Sequence, residues 1–242
     1  FRRQHLAFDS ERAQAFLAYR RERGEPLRLH ALHDAIDEHL RGVDPGRYWG
    51  WPAWPEGLRD PGLPGVRDFE RQNDESVQFH AWLQWLADDQ LRSVQRLAVE
   101  LGMPLGLYGD FAVGVNPSGS ETWSDQTVYR MGAGIGAPPD ALALKGQDWG
   151  IPPQDPHALN SQRYRPFRDL ISANLRHFGA LRLDHVMSLF RQWWVPVGTG
   201  ATDGGYVHYP LDDLMSVLAL ESGRHRCLVV GEDLGTVPDE VR

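Results

Sequence analysis

Cysteine is almost absent from this chain of 242 residues: Cys227 stands alone. No internal disulfide can therefore form, and a reducing compartment fits. No apolar run approaches the length that a membrane helix needs, and the first residues lack the pattern of a signal peptide. Positive charge is also short. Lys and Arg number 25 against 33 Asp and Glu, a net charge of −8, which argues against nucleic acid as a partner. These absences point to the cytoplasm. What remains is ordinary for a globular protein, with 41% apolar residues and a length suited to one large domain.

Residues 1–102 read as mainly helical. Ser10 can cap a helix running to Arg23, with Phe16 and Leu17 on its apolar side and Gly24 as its stop. A second helix follows Pro26, with Leu29, Leu32, Ile36 and Leu40 at helical spacing and Gly42 closing it. The Tyr48–Pro55 stretch, rich in Trp, Pro and Gly, reads as an extended loop, either a surface cluster or a contact with parts of a larger protein. A long helix is expected from Asp74 to Leu101, with Trp82, Leu86, Val94 and Leu97 buried. From Gly109 to Pro156 periodicity vanishes, and loops that long are uncommon unless functional. Further helices are expected over Arg168–Phe178 and Leu211–Glu221, and another near Pro238.

Three short apolar strands stand out, near Leu105–Asp110, Ala180–Asp184 and Cys227–Gly231. Two of them run into carboxylates, Asp184 and Glu232. On a barrel of parallel strands, strand ends meet at one face and supply catalytic groups from distant parts of the sequence. Alternation puts Arg182 and Asp184 on one side and Leu181 and Leu183 on the other. A guanidinium next to a carboxylate favours its charged form, which suits Asp184 to act as a nucleophile. Glu232 follows an apolar strand and Gly231, and poor hydration there would raise its pKa, as a general acid requires. Two such carboxylates are the equipment for retaining cleavage of a glycosidic bond.

Both segments, and the runs between them, resemble the 4-alpha-glucanotransferases (amylomaltases, or disproportionating enzymes) of the bacterial maltodextrin type. The matching runs are Gly106 to Val115, Glu121 to Asp125, Gly136 to Asp140, Gly146 to Pro153, Asp155 to His157, Gly179 to Val186, Arg191 to Pro196, Gly205 to Pro210 and Val230 to Pro238. So many in order outweigh any one short pattern. The resemblance implies an α/β fold, part of a (β/α)8 TIM-type barrel, formed here by residues 103–242 and continuing beyond residue 242. It implies Asp184 as nucleophile, Glu232 as acid/base, and α-1,4-glucans and sugar acceptors as partners, with no cofactor or metal. It also implies a third carboxylate, in a Thr-His-Asp segment beyond residue 242. A complete barrel takes roughly 250 residues and only three suitable strands are visible. With Phe1 in place of Met at its start, the chain reads as an internal piece of a larger enzyme, expected to be inactive alone.

Candidate substrate contacts are Arg182, His185, Asp110, Trp149, Pro153, Asp155, Trp194 and Tyr209. The resemblance puts Asp110 near the donor-side sugar and His185 close to the sugar, although Asp110 also suits a turn. Trp149, in a Gly- and Pro-rich loop, is the best candidate for stacking on a pyranose, whereas burial is the commoner fate of Trp123, Trp193, Trp194 and Tyr209. Neighbours on a strand diverge, so one of Trp193 and Trp194 should face the core. Glu232 could instead cap the helix near Pro238, but Asp233 and Thr236 are better placed. His30, His33 and His39 lack metal-site spacing and read as a solvated helix face. Gly132 to Gly136 lacks the dinucleotide fingerprint and reads as loop, and Arg20 to Arg23 as an exposed helix end. Asp148 stands where the resembled family usually has Asn, which would alter subsite affinity if it touched sugar hydroxyls. A retaining amylase-like hydrolase and a non-catalytic glucan-binding scaffold remain as alternatives.

Overall fold

The computed structural model describes residues 10–233; the helix expected near Pro238, with Thr236, lies outside the described residues. The chain divides into two compact units, one of residues 10–90 with 118–125, the other of residues 91–117 with 126–233.

The first unit is helical. Helix α1 (Glu11–Val43) is two helices run together, because Gly24 adopts φ 55° and ψ −134° between them. Pro26 then sits in the opening turn of the second half, where its missing N–H costs nothing. Ser10 caps the start by accepting from Ala13 N–H at 3.2 Å. Gly42 stays out of the left-handed region, so the helix runs on and ends with Asp44 N–H bonded to Leu40 O. Helices α2 (Pro64–Gln72) and α3 (Asp74–Glu100) follow, α3 up to Gln90 belonging to this unit. The short α4 (Ser120–Ser124) completes it.

Its core holds Phe16, Leu32, Ile36, Trp54, Val66, Trp82 and Trp123. Leu17 is exposed, so the apolar side of the first half rests on Phe16. The Tyr48–Pro55 loop is a correction to the sequence reading: Trp51 and Trp54 are buried and Trp49 is exposed. Trp54 meets Trp123 at 5.9 Å, edge to face, and Trp51 Nε1 donates to Thr122 Oγ1 at 2.9 Å. Large indole area outweighs the loop's turn character. His33 is also buried rather than solvated. Its ring lies 5.1 Å from Trp54, and Nε2 is 3.0 Å from Ser118 O. His39 turns its edge to Phe69. Arg23 does not hang free either, since its guanidinium lies over Tyr19 and 3.7 Å from Asp88.

The second unit contains β1 (Tyr108–Phe111), β2 (Ala133–Ala137), β3 (Gln147–Ile151), α5 (Pro156–Ser161), α6 (Arg165–Leu175), β4 (Ala180–Leu183), β5 (Arg191–Pro196), β6 (Gly205–His208), α7 (Leu211–His225) and β7 (Leu228–Gly231). Its centre is a parallel sheet in the order β1-β4-β7, made of the three strands legible in the sequence. β1 starts at Tyr108 and not Leu105 because Gly106 breaks the chain at φ 66°. Leu181 and Leu183 are buried with Ile171 and Leu175 of α6 and Leu214 and Leu218 of α7. Fully burying a leucine contributes about 1.5–3 kcal/mol, which anchors β4 in the middle.

Four expectations need correction here. Cys227 is buried, but the apolar strand that follows it, which reads from sequence as buried, is β7, the edge of the sheet among the described residues, with Leu228 55% and Val230 42% exposed. Val94 and Leu97 of α3 are likewise exposed. The stretch from Gly109 to Pro156 is no continuous loop, since it supplies two strands of an antiparallel sheet ordered β3-β2-β5-β6. Gly132 to Gly136 therefore enters a strand. Glycine has low strand propensity, yet Gly136 is required: a Cβ there would lie 1.9 Å from Gln147 O. Finally, both later helices are displaced from the sequence reading. α6 begins at Arg165, with Pro166 in its first turn. α7 continues to His225, helped by Glu221 pairing with Arg224 at 2.5 Å.

Candidate active site

The parallel register sets Asp110, Arg182 and Val230 side by side on β1, β4 and β7. The ladder continues one residue past each strand. Asp184 N–H donates to Phe111 O at 3.0 Å, and Glu232 N–H donates to Leu183 O at 3.0 Å. Strand alternation then turns Arg182, Asp184 and Glu232 to one face while Leu181 and Leu183 enter the core.

Arg182 is the hub of this face. Nη1 reaches Asp110 Oδ1 at 2.5 Å, and Nη2 reaches Asp184 Oδ1 at 2.9 Å and Glu232 Oε2 at 3.0 Å. The guanidinium fork makes such multiple engagement possible, and Asp110 first, with Glu232 and Asp184, fixes its positive charge further. One oxygen each from Asp184 and Glu232 and a ring nitrogen of His185 all lie within 4.8 Å of one another. Such a trio has donors a cation could use, but Arg182 already supplies the positive charge among them.

Glu232 departs from the sequence reading. The His185 N–H donates to Glu232 Oε2 at 3.0 Å. That amide and the Arg182 charge, against the opposing effect of burial, hold the Glu232 carboxyl below the usual range. Apolar surroundings would have raised it, but hydrogen bonds to the charged form win. The main chain is also pinned, since Val186 N–H donates to Glu232 O at 3.0 Å.

His185 supplies that N–H from a left-handed conformation, φ 48° and ψ 62°. Its ring lies against Trp149, with centroids 4.9 Å apart and planes inclined by 34°. Trp149 is oriented in turn by Nε1 donating to Gln147 Oε1 at 2.9 Å. Trp149 and His185 line a cleft of about 400 Å³ with Gln147, Asp140, Met187, Arg191, Trp193 and Tyr206. Tyr206 presents its ring to the Arg191 guanidinium at 4.1 Å and to Trp193 at 4.9 Å.

The remaining candidates lie elsewhere. Trp194 packs against the core and Trp193 faces the cleft, so alternation on β5 held but the neighbour chosen from sequence was the inward one. Tyr209 is buried, with its hydroxyl 2.5 Å from Gln154 O and 2.9 Å from Gln192 Oε1, and burial pushes its phenol up. Asp155 caps α5 by accepting from Ala158 N–H at 2.9 Å and pairs with Arg130 at 2.7 Å. Pro153 is buried and its carbonyl accepts from Arg130 N–H. Asp148 accepts from Gly150 N–H at 2.9 Å, a local turn bond that Asn could also make. Sequence reasoning missed Trp193, Tyr206 and Arg191 as cleft residues. The alternation of β5 was the available signal for the first.

The whole chain, residues 1–242, matches the family model described as 4-alpha-glucanotransferase, Glyco_hydro_77. It is 46% identical over 233 residues to the 4-alpha-glucanotransferase of Haemophilus influenzae, covering 96% of this chain and 33% of that protein. It is also 46% identical over 231 residues to the Mycobacterium tuberculosis 4-alpha-glucanotransferase, covering 96% and 31%. The chain thus spans about a third of the length of these relatives. The crystal structure of amylomaltase from Corynebacterium glutamicum matches with a TM-score of 0.81 and 34% identity, over 97% of this chain and 30% of that one. Streptococcus agalactiae amylomaltase in complex with acarbose shares the fold, with a TM-score of 0.79 at 19% identity over 96% of this chain and 46% of that one.

Proposed function

This chain belongs to the 4-alpha-glucanotransferase family, and from that premise we propose that its carboxylate face performs retaining transfer of α-1,4-glucan segments between maltodextrins. The observation that carries the reading is the approach of Asp184 and Glu232 oxygens to within 4.8 Å. Retaining enzymes hold their carboxyl groups about 5–5.5 Å apart, and inverting ones leave a wider gap for water.

In the first step Asp184 attacks the anomeric carbon as the glycosidic C–O bond breaks, and Glu232 gives its proton to the departing oxygen. A covalent glycosyl-enzyme results. Glu232, now ionised, takes the proton from the 4-hydroxyl of an acceptor sugar. That oxygen bonds to the anomeric carbon and releases Asp184. Arg182 offsets part of the negative charge of the face and, by holding Asp184, aims the nucleophile. Trp149, Trp193 and Tyr206 offer apolar ring surface for pyranoses in the cleft.

On this reading β1-β4-β7, with α6 and α7 packed against it, is part of a (β/α)8 barrel. Helices α1 to α3 make up a helical segment ahead of it in the sequence, and a third carboxylate is supplied by a part of the enzyme outside these residues. The chemistry needs no cofactor. A cytoplasmic setting agrees with the buried lone Cys227; among the described residues no helix is long and apolar enough to cross a membrane.

Water in place of the acceptor sugar would make the same site a hydrolase. The test is the product pattern from maltotriose with the full-length protein. Glucose with longer maltodextrins is the expected result, and short sugars alone would replace transfer by hydrolysis. Asp184→Asn separates catalysis from a binding scaffold, because it should abolish turnover while glucan binding persists.

A further inference from the structure

The proposed reaction asks Glu232 to be an acid in one step and a base in the next, yet the contacts it makes favour the base form. The His185 amide donates to Oε2, and the Arg182 guanidinium forms an ion pair with the same oxygen. Of these, the His185 amide is the conditional one. It points at Glu232 only because His185 is left-handed, a conformation uncommon for residues with a Cβ. Nothing in the strand β4 requires it, since the regular ladder ends with Asp184 N–H on Phe111 O. The turn is held on its main chain by Val186 N–H on Glu232 O and Ser188 N–H on His185 O, and on its outer side by its side chain. The imidazole is covered by the Trp149 ring, and Trp149 is fixed by Gln147 between Gly146 and Gly150, both at positive φ.

We propose that Trp149 is a positioning residue for the acid/base: by covering the His185 ring it holds the left-handed turn whose peptide N–H engages Glu232. The proposal rests on the glucan-transfer reading for the role of Glu232 but not for the contact itself. Trp149 lines the cleft, so a sugar stacked there presses on the residue that sets the hydrogen bonding of the proton donor. Substrate seating and proton inventory become one event. Among the described residues, the charged and titratable groups facing Glu232 are Arg182, Asp184 and His185, with Asp110 joined through Arg182. None of these is removed by changing Trp149.

The test is a titration of Glu232 in the full-length protein with isotope-labelled glutamate carboxyl carbons, the signal being identified by its loss in Glu232→Gln. Trp149→Ala should raise the midpoint by about one pH unit, the size expected when a carboxylate loses one hydrogen bond. Trp149→Phe, which keeps a ring on the imidazole, should leave it in place. His185→Gly added to Trp149→Ala should bring it part of the way back down, because glycine takes the left-handed conformation freely and keeps the N–H, while the lowering effect of the imidazole charge is lost. An unchanged midpoint in Trp149→Ala overturns the proposal. So does a raised midpoint that His185→Gly fails to lower, since Trp149 would then act by another route. The maltotriose products of the unaltered protein decide the functional reading separately, and that result leaves the titration standing on its own.

Discussion

Arg182 Nη2 stands 3.0 Å from Glu232 Oε2, and the same guanidinium holds Asp110 and Asp184. One cation thereby lies among carboxylates carried by three strands. Depression of the Glu232 carboxyl contributes stability above the ordinary carboxylate range, and that stability is lost as pH falls through the lower native value. Without Arg182 the three carboxylates repel one another when ionised. Arg182→Met should therefore lower Tm more at about pH 7 than at about pH 4, where protonation relieves the repulsion. Equal losses at both values would mean that packing of the arginine stem, and not its charge, holds the strands.

Glu232→Gln removes the exchangeable proton while keeping the shape of the side chain. Transfer from maltotriose should slow by roughly 10²–10⁴-fold, the usual range for a lost general acid/base. Binding of the sugar, followed by calorimetry, should change little. A loss of binding in proportion to rate would recast Glu232 as a substrate ligand.

Asp155 is expected to act on stability and not on chemistry. Asp155→Ala removes the α5 cap and should cost about 1 kcal/mol in denaturant unfolding. Asp155→Asn keeps a capping oxygen and should cost less, because the Arg130 partner is half exposed and such pairs contribute about 0–1 kcal/mol. Burial opposes the charged form, but the Ala158 amide and Arg130 hold the Asp155 carboxyl below its usual value. Its contribution is thus present above the unfolded value and fades as pH drops through the native one. A deficit in Asp155→Ala that persists undiminished in acid would contradict this account.

Leu181 is fully buried on the central strand, directly before the arginine hub. Leu181→Ala should destabilise by about 2–5 kcal/mol through lost transfer energy and the cavity left behind. Thermal unfolding of the full-length protein reads the loss. An effect below about 1 kcal/mol would mean that the core collapses around the gap.

What the sequence made legible was the part governed by alternation. Leu181 and Leu183 went inward and Arg182, Asp184 and Glu232 shared a face, because period-two patterning and parallel pairing leave no other arrangement. Less was visible where side-chain pattern carries no signal. β2 is built on Gly134 and Gly136, whose value lies in a missing Cβ that composition cannot reveal. Trp54 was hidden in a proline-rich loop, and Val94 and Leu97 had helical spacing with nothing among the described residues to bury them. For Glu232, the decisive group was a main-chain N–H from a left-handed turn, and residue identity does not announce that geometry.

The parallel pairing of Tyr108–Phe111 with Ala180–Leu183, and of these with Leu228–Gly231, also sets when the site can exist. Such long-range pairs close large loops before any contact rewards them, and topologies of this kind are slow to form. Helices such as α6 and α7 form from local contacts far sooner. On refolding, the helical signal should thus return ahead of activity, and a chain emerging from the ribosome carries no reactive pair until its third strand has docked. On the proposed reading, catalytic competence is in this sense a timer for completion of the fold.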